Sequence, residues 1–312
     1  ELQRAAVADL LRIAPVADEL GTVFAAAGHQ LFLIGGSVRD ALLGRLEDDL
    51  DFTTDARPEQ VLRLVKGWAE SIWQTGIEFG TVGLAKAGFR VEITTFRSDL
   101  YDGETRNPEV TFGDTLEGDL LRRDFAVNAM AVSVPGHTFT DPFHGLTQLA
   151  ERVLDTPGTP EQSFRDDPLR MLRAARFVSQ LGFHPAPRVV AAMTAMAGEI
   201  DRITPERVGA ELVKLIMGEH PREGLRLLTD TGLADRILPE LPALRLERDE
   251  HLQHKDVYEH TLTVLDQAIA QEADGPDLTL RLAALLHDIG KPATRRFEPG
   301  AGVSFHHHEV VG

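Results

Sequence analysis

The residue pattern predicts an α+β region followed by a long all-helical region. Two observations carry this. Short apolar runs at 31–34, 49–52, 79–84, 89–96 and 138–141 alternate with helical stretches over the first half. From Ser163 onward the apolar spacing is helical almost without interruption. The chain has 312 residues, enough for two or three domains. It is 43% hydrophobic and 26% charged, as in soluble globular proteins. No apolar run is long enough for a membrane span, and no signal-peptide pattern stands at the N-terminus. The chain begins at Glu1 rather than Met, so its natural start is expected to lie upstream. It has no cysteine, which excludes disulfides and thiolate metal sites and fits a cytoplasmic protein.

The net charge of −17 argues against a nonspecific nucleic-acid binder. The charge is unevenly spread. Residues 1–160 hold 14 basic against 25 acidic side chains, whereas residues 161–230 are balanced. Between 163 and 188 five arginines face only Asp166 and Asp167. A polyanion is therefore expected along this middle segment.

Taken in order, residues 2–28 read as a helix. Leu31–Ile34 reads as a buried strand, and Gly35, Gly36 and Ser37 lead into a helix from Val38 to Leu43. Paired glycines between a strand and a helix let backbone N–H groups approach an anion. Arg39, in the first turn, could meet the same anion. In Asp49-Leu50-Asp51-Phe52, strand alternation puts both carboxylates on one face and both apolar residues on the other. Adjacent carboxylates repel unless a hard cation sits between them, and Mg²⁺ with a phosphate is the usual guest. A Gly-Gly turn is usually only a turn, and Asp-x-Asp is usually a solvated strand face; their combination points to chemistry.

A helix is expected from Pro58 to about Ala69, then a hairpin through Gly88. Glu92 faces opposite to its neighbours Val91 and Ile93. Residues 98–119 read as a long polar loop. Arg122-Arg123-Asp124-Phe125-Ala126-Val127-Asn128 follows, then a short strand at 138–141. In the helical half, Asp167, Arg170, Arg173 and Arg176 recur every three residues, which places them on one broad stripe. Asp167 before Pro168 is also a good helix cap. A carboxylate accepts and a guanidinium donates. Asp167 with Arg170 can thus pair with cytosine or adenine, while guanine and uracil present the inverse pattern. Helices follow over 187–198, 204–218, 221–231 and 232–238. Tyr258-Glu259-His260, the string His287-Asp288-Ile-Gly-Lys-Pro, and His306-His307-His308 gather nitrogen and carboxylate donors suited to a transition metal.

Leu31 to Ala56 resembles the nucleotidyltransferase superfamily that includes DNA polymerase β. More narrowly, GGSVRDALLG…DLDFTTDA, RRDFAVNAM and FRDDPLRMLRAARF resemble the class II tRNA nucleotidyltransferases (CCA-adding enzymes) and related bacterial poly(A) polymerases. Ala126 stands where the family commonly has Thr, and Asp166 where it commonly has Glu. The resemblance implies a head with a small mixed sheet over 1–155, a helical neck and body for base and tRNA binding over 156–245, and an HD domain over 246–312. It implies a two-Mg²⁺ site on Asp49, Asp51 and Glu92, and phosphate contacts from Gly35, Gly36, Ser37, Arg39 and Arg123. Asp124 and Asn128 would order the ribose side, and Asp167, Arg170, Arg173 and Arg176 would hold the nucleotide. The implied activity is addition of C, C and A from CTP and ATP to the tRNA 3′ end. The segment 75–80 favours this over the poly(A) type, and the 98–119 loop favours it over a CC-only enzyme. HDIGKP resembles an HD-type metal phosphohydrolase, the rival activity, with His260, His287 and Asp288 as candidate ligands of a second divalent metal. HD domains normally add a further Asp downstream, so a truncated domain is expected at Gly312. Oligomeric state and tRNA-contacting residues are not legible.

Overall fold

The computed structural model describes residues 15–45, 48–97, 112–113, 115–245, 257–298 and 302–312. The start of the expected 2–28 helix and most of the 98–119 loop lie outside these residues. The chain forms two units, residues 1–166 and 167–312.

The first unit is built on a seven-stranded mixed sheet. Helix α1 (Pro15–Ala26) packs against β1 (Leu31–Ile34) through the buried Leu20 and Phe24 side. Then come α2 (Gly36–Leu42), β2 (Asp49–Thr54), α3 (Pro58–Val65), β3 (Ser71–Trp73), β4 (Thr81–Lys86) and β5 (Phe89–Thr95). Helix α4 (Leu116–Leu121), β6 (Ala131–Ser133), β7 (Phe139–Thr140), α5 (Gly145–Glu151) and α6 (Pro160–Asp166) complete the unit. The strand order is β3-β4-β5-β2-β1-β6-β7. Only β2 and β5 run parallel; every other neighbour is antiparallel. Leu50, Phe52, Val91, Ile93, Val82 and Leu84 are buried on one face, which is the alternation the sequence predicts.

Two strands of this sheet escape the sequence reading, β3 and β6. Each has three residues, too short for an alternating pattern to register. The end of the expected 98–119 loop is instead helical. The Thr115 hydroxyl accepts from the Gly118 N–H at 3.2 Å and starts α4.

Among its described residues the second unit is helical apart from short extended pieces. Helix α7 (Leu169–Leu181) is its spine, packed against α9 (Pro205–Ile216) and α10 (Pro221–Asp230), with α8 (Pro187–Met196) between them in sequence. A side chain at Gly224 would strike the Ala175 carbonyl oxygen at 2.7 Å, so glycine sets the close approach of α10 to α7. After α11 (Ala234–Ile237) and α12 (Glu240–Ala243) come α13 (Val257–Ile269), α14 (Leu278–Leu286) and α15 (Lys291–Thr294).

Buried charge ties α14 to the rest of this unit. Arg281 donates to the carbonyls of Ile216 and Gly218, both at 2.7 Å, where α9 ends. The rest of its fork grips Glu272 at 2.7 and 2.8 Å. One side chain thus satisfies a helix end and an acid together. Arg222 and Arg226 on α10 both clasp Glu259 on α13.

The Arg281 fork lowers the Glu272 pKa from 4.5 to about 2, outweighing the desolvation that would raise it, and the Asp277 N–H adds to the lowering. Because folding lowers this pKa, the pair stabilises fully above about pH 4.5 and loses that contribution as the pH falls toward 2. Chemical denaturation across this range is expected to show the parent more stable than Glu272→Gln near neutrality, with the gap closing in acid. A gap independent of pH would show that the charge contributes nothing.

Candidate active site

The site begins with the register of two strands. In the parallel β2–β5 pair, Asp51 lies opposite Glu92 and Asp49 opposite Arg90. Asp49 and Asp51 are exposed and Glu92 is half-buried. The trio shares one face of the sheet, as strand alternation requires. Glu92 leans on Arg90, with its carboxylate 3.5 Å from the guanidinium.

Asp51 reaches solvent from among surrounding protein, which desolvates it and raises its pKa above the usual carboxylate range. Arg123 opposes this, Glu92 and Asp49 reinforce it by repulsion, and Arg39 opposes it more weakly. The donor set is three carboxylates, all hard oxygen, and its repulsion is what a divalent cation relieves. These residues therefore fit Mg²⁺ by donor chemistry.

Two further elements are fixed to this face. Gly35 adopts φ 68° and ψ −135°, where side chains are strained. A Cβ there would lie 3.2 Å from Arg123 Nη1 and 3.8 Å from Asp51 Oδ2. Glycine thus lets the turn, the arginine and the acid meet. The Ser37 hydroxyl donates to the Asp49 carbonyl at 3.3 Å and accepts from the Asp51 N–H at 3.0 Å. It pins the edge of β2 between its two acids.

Behind the site runs a buried polar chain. Arg39 forks onto Asp40 at 2.9 and 2.6 Å, and its Nη1 donates to Asn128 Oδ1 at 2.6 Å. Asn128 Nδ2 donates to Asp124 Oδ1 at 3.0 Å, and that oxygen also accepts from the Phe125 N–H. Arg39, Asp40, Asn128 and Asp124 are all buried. The sequence places Arg39, Asp124 and Asn128 at the nucleotide; the structure joins them first to one another.

Arg123 is held by Asp119, whose oxygen lies 3.3 Å from Nη2. Asp119 is wholly buried. Burial alone would raise its pKa, but Arg123, Arg122 and the Arg97 N–H outweigh it and hold the carboxyl below its usual range. The sequence reading missed Asp40 and Asp119. The available signal was Asp119 standing three and four residues before two arginines, the spacing of a helical ion pair.

In the second unit, the Asp167 carboxylate accepts from the Leu169 N–H at 3.1 Å and from Arg207 at 3.3 Å. It caps α7, as one sequence reading holds. Arg170 and Arg173 are half-buried on α7. The expected single stripe does not extend to Arg176. A step of three residues falls about 60° short of a full helical turn, so the series rotates inward. Arg176 is 8% exposed, 3.0 Å from Glu211 and 4.4 Å above the Phe177 ring.

His260, His287 and Asp288 also come together. Their ligand atoms all lie within 4.8 Å of one another, the one such group among the described residues. Asp288 is buried and lies 3.1 Å from His287, 2.7 Å from Lys291 and 3.5 Å from His308. His287 Nδ1 sits 2.7 Å from the Ala284 carbonyl, the partner that leaves Nε2 available to a metal.

Three family models match consecutive parts of the chain. They are the poly A polymerase head domain over 31–155, the probable RNA and SrmB binding site of polymerase A over 182–244, and the HD domain over 257–312. The CCA-adding enzyme of Levilactobacillus brevis is 43% identical over 208 residues, 66% of this chain and 51% of that protein. A crystal structure of the Bacillus stearothermophilus CCA-adding enzyme in complex with CTP is 38% identical, with a TM-score of 0.62, and covers 70% of this chain and 53% of that one. A tRNA nucleotidyltransferase complexed with a primer tRNA and an incoming ATP analog is 25% identical, with a TM-score of 0.64, and covers 86% and 75%. The chain spans about half the length of the curated relatives it matches.

The Asn128 amide is specific in polarity, since its carbonyl faces Arg39 and its NH₂ faces Asp124. Asn128→Asp sets a carboxylate against Asp124. It is expected to cost roughly 1–3 kcal/mol at pH 7, with part recovered once the carboxylates protonate. Equal stability of variant and parent in urea at pH 7 would contradict the network.

Proposed function

We propose that this chain, which belongs to the family of class II tRNA nucleotidyltransferases and bacterial poly(A) polymerases carrying an HD domain, adds C, C and A from CTP and ATP to the tRNA 3′ end. The observation that carries the reading is Asp51 opposite Glu92 in adjoining parallel strands, with Gly35 and Arg123 at the same acid. The similarity to CCA-adding enzymes at about 40% identity supports it.

The RNA 3′-hydroxyl oxygen attacks the α-phosphorus, its proton passes to solvent, and the bond to the leaving pyrophosphate breaks. Held by Asp49, Asp51 and Glu92, two Mg²⁺ would acidify the hydroxyl and neutralise the leaving pyrophosphate. Arg123 offers a cation for the triphosphate beside Asp51. The Gly35-Gly36 turn gives the phosphates close access to backbone. Arg39, Asn128 and Asp124 hold the floor of the site rigid and present its ribose side. Ser37 fixes the spacing of the two β2 acids.

Base choice falls to Asp167 and Arg170, with Arg173 and Arg176 behind them. Asp167 accepts from an exocyclic amino group and Arg170 donates to a ring acceptor, which admits cytosine and adenine and excludes guanine and uracil. The second cluster, His260, His287 and Asp288, supports a separate metal-dependent phosphohydrolase activity in the HD domain. No helix of the described residues is long and apolar enough to cross a membrane. We place the activity in the cytoplasm, with tRNA and nucleotides as partners.

The test is to incubate the chain and Mg²⁺ with tRNA that lacks CCA, supplying each single nucleotide and then CTP with ATP, and to sequence the 3′ ends. C and then A addition is expected, and no addition would overturn the reading. In Asp167→Ala, discrimination against UTP and GTP should fall about tenfold to a hundredfold. Loss of the cap alone would cost about 1 kcal/mol and leave the nucleotide ratios unchanged.

A further inference from the structure

One row of residues crosses the sheet at the carboxylates. Asp51 pairs with Glu92, Glu92 with Gly83, and Gly83 with Trp73. Residues paired in this way share a face. The order across the face is therefore acid, acid, gap, indole. The gap is required: a Cβ at Gly83 would fall 1.9 Å from Trp73 Nε1. The indole lies over Gly83 of β4, with Arg90 of β5 against its ring.

Arg90, the next residue of β5 on this face, holds its guanidinium over the Trp73 ring, 5.2 Å from the centroid, and 3.5 Å from the Glu92 carboxylate. Glu70, Trp73, Ala85, Gly88, Phe89 and Arg90 line an open depression of about 440 Å³. Glu70 is tied to the hairpin, accepting from the Ala87 N–H at 3.1 Å. An aromatic face beside a cation, in a strongly acidic half of the chain, matches a nucleobase with its phosphate.

We propose that Trp73 and Arg90 form the seat of the 3′-terminal nucleotide of the acceptor RNA, the base stacking on the indole and the adjoining phosphate meeting the guanidinium. This rests on the nucleotidyltransferase reading. Trp73 stands two strand spacings, about 10 Å, from Glu92. The sugar of a nucleotide stacked there lies between the ring and the carboxylates, where its 3′-hydroxyl must react. The chemistry of successive addition also selects this kind of seat. The growing end carries a different base after each step, so its seat must hold any base. Stacking does so, because every base has a π-face, whereas hydrogen-bond readout does not.

The chain has two tryptophans, Trp68 and Trp73. In a Trp68→Phe variant, emission reports Trp73 alone. A short RNA hairpin with a single-stranded 3′ end should quench this emission, and the same hairpin with an abasic 3′-terminal residue should not. In addition assays, Trp73→Ala should raise the RNA KM about tenfold or more, with the nucleotide KM unchanged and Trp73→Phe close to the parent. Equal quenching by both hairpins, no quenching, or a rise in nucleotide KM alone would overturn the seat. Failure of the parent chain to add any nucleotide, with base-dependent quenching intact, would overturn the activity and leave the seat standing.

Discussion

The parallel pairing of β2 with β5 is the constraint on which the first unit depends. Every other contact in the sheet is antiparallel. This one join sets Asp51 against Glu92 and Asp49 against Arg90. A one-residue slip would turn the acids into the core and Leu50 and Phe52 out to solvent. The apolar face thus fixes the register of the polar one, and core packing holds like charges together.

Holding carboxylates together is unfavourable, and the surroundings are built to resist it. Desolvation first, and then repulsion by Glu92 and Asp49, raise the Asp51 pKa, with Arg123 as its principal counter-charge. Arg123 is in turn steadied by Asp119, whose lowered pKa shows a well-compensated buried charge. Arg39, Asp40, Asn128 and Asp124 close a second network with matched donors and acceptors. Such networks rigidify a site only when they are satisfied throughout. Asp167 shows the same economy in the second unit: one oxygen caps α7 and the other meets Arg207.

The acid face was legible because strand alternation needs only the order of Leu50, Asp51 and Phe52. The mixed sheet followed from the family resemblance, but β3 and β6 did not, since three residues carry no period. That omission hid Trp73, whose place in the row depends on pairing with Gly83 across β3 and β4. Asp119 was hidden for another reason: an acid in a polar stretch reads as solvated, and only the fold reveals its burial. Arg176 leaves the expected stripe because a three-residue repeat rotates around the helix and turns it inward. The His260, His287 and Asp288 group was legible from its motif, while the approach of His308 to Asp288 required the fold.

The central claim is that the acids on β2 and β5 form a divalent-cation site. It is tested most directly by melting the chain with EDTA or Mg²⁺, in a background where His287 and Asp288 are alanine so that the second cluster is silent. In EDTA, Asp51→Asn should melt above its parent, because a repelled charge is gone. Mg²⁺ should raise the melting temperature of the parent, since a cation bound only to the folded state stabilises it. The same addition should do little for Asp51→Asn. An equal rise in both, or none in the parent, would contradict the claim.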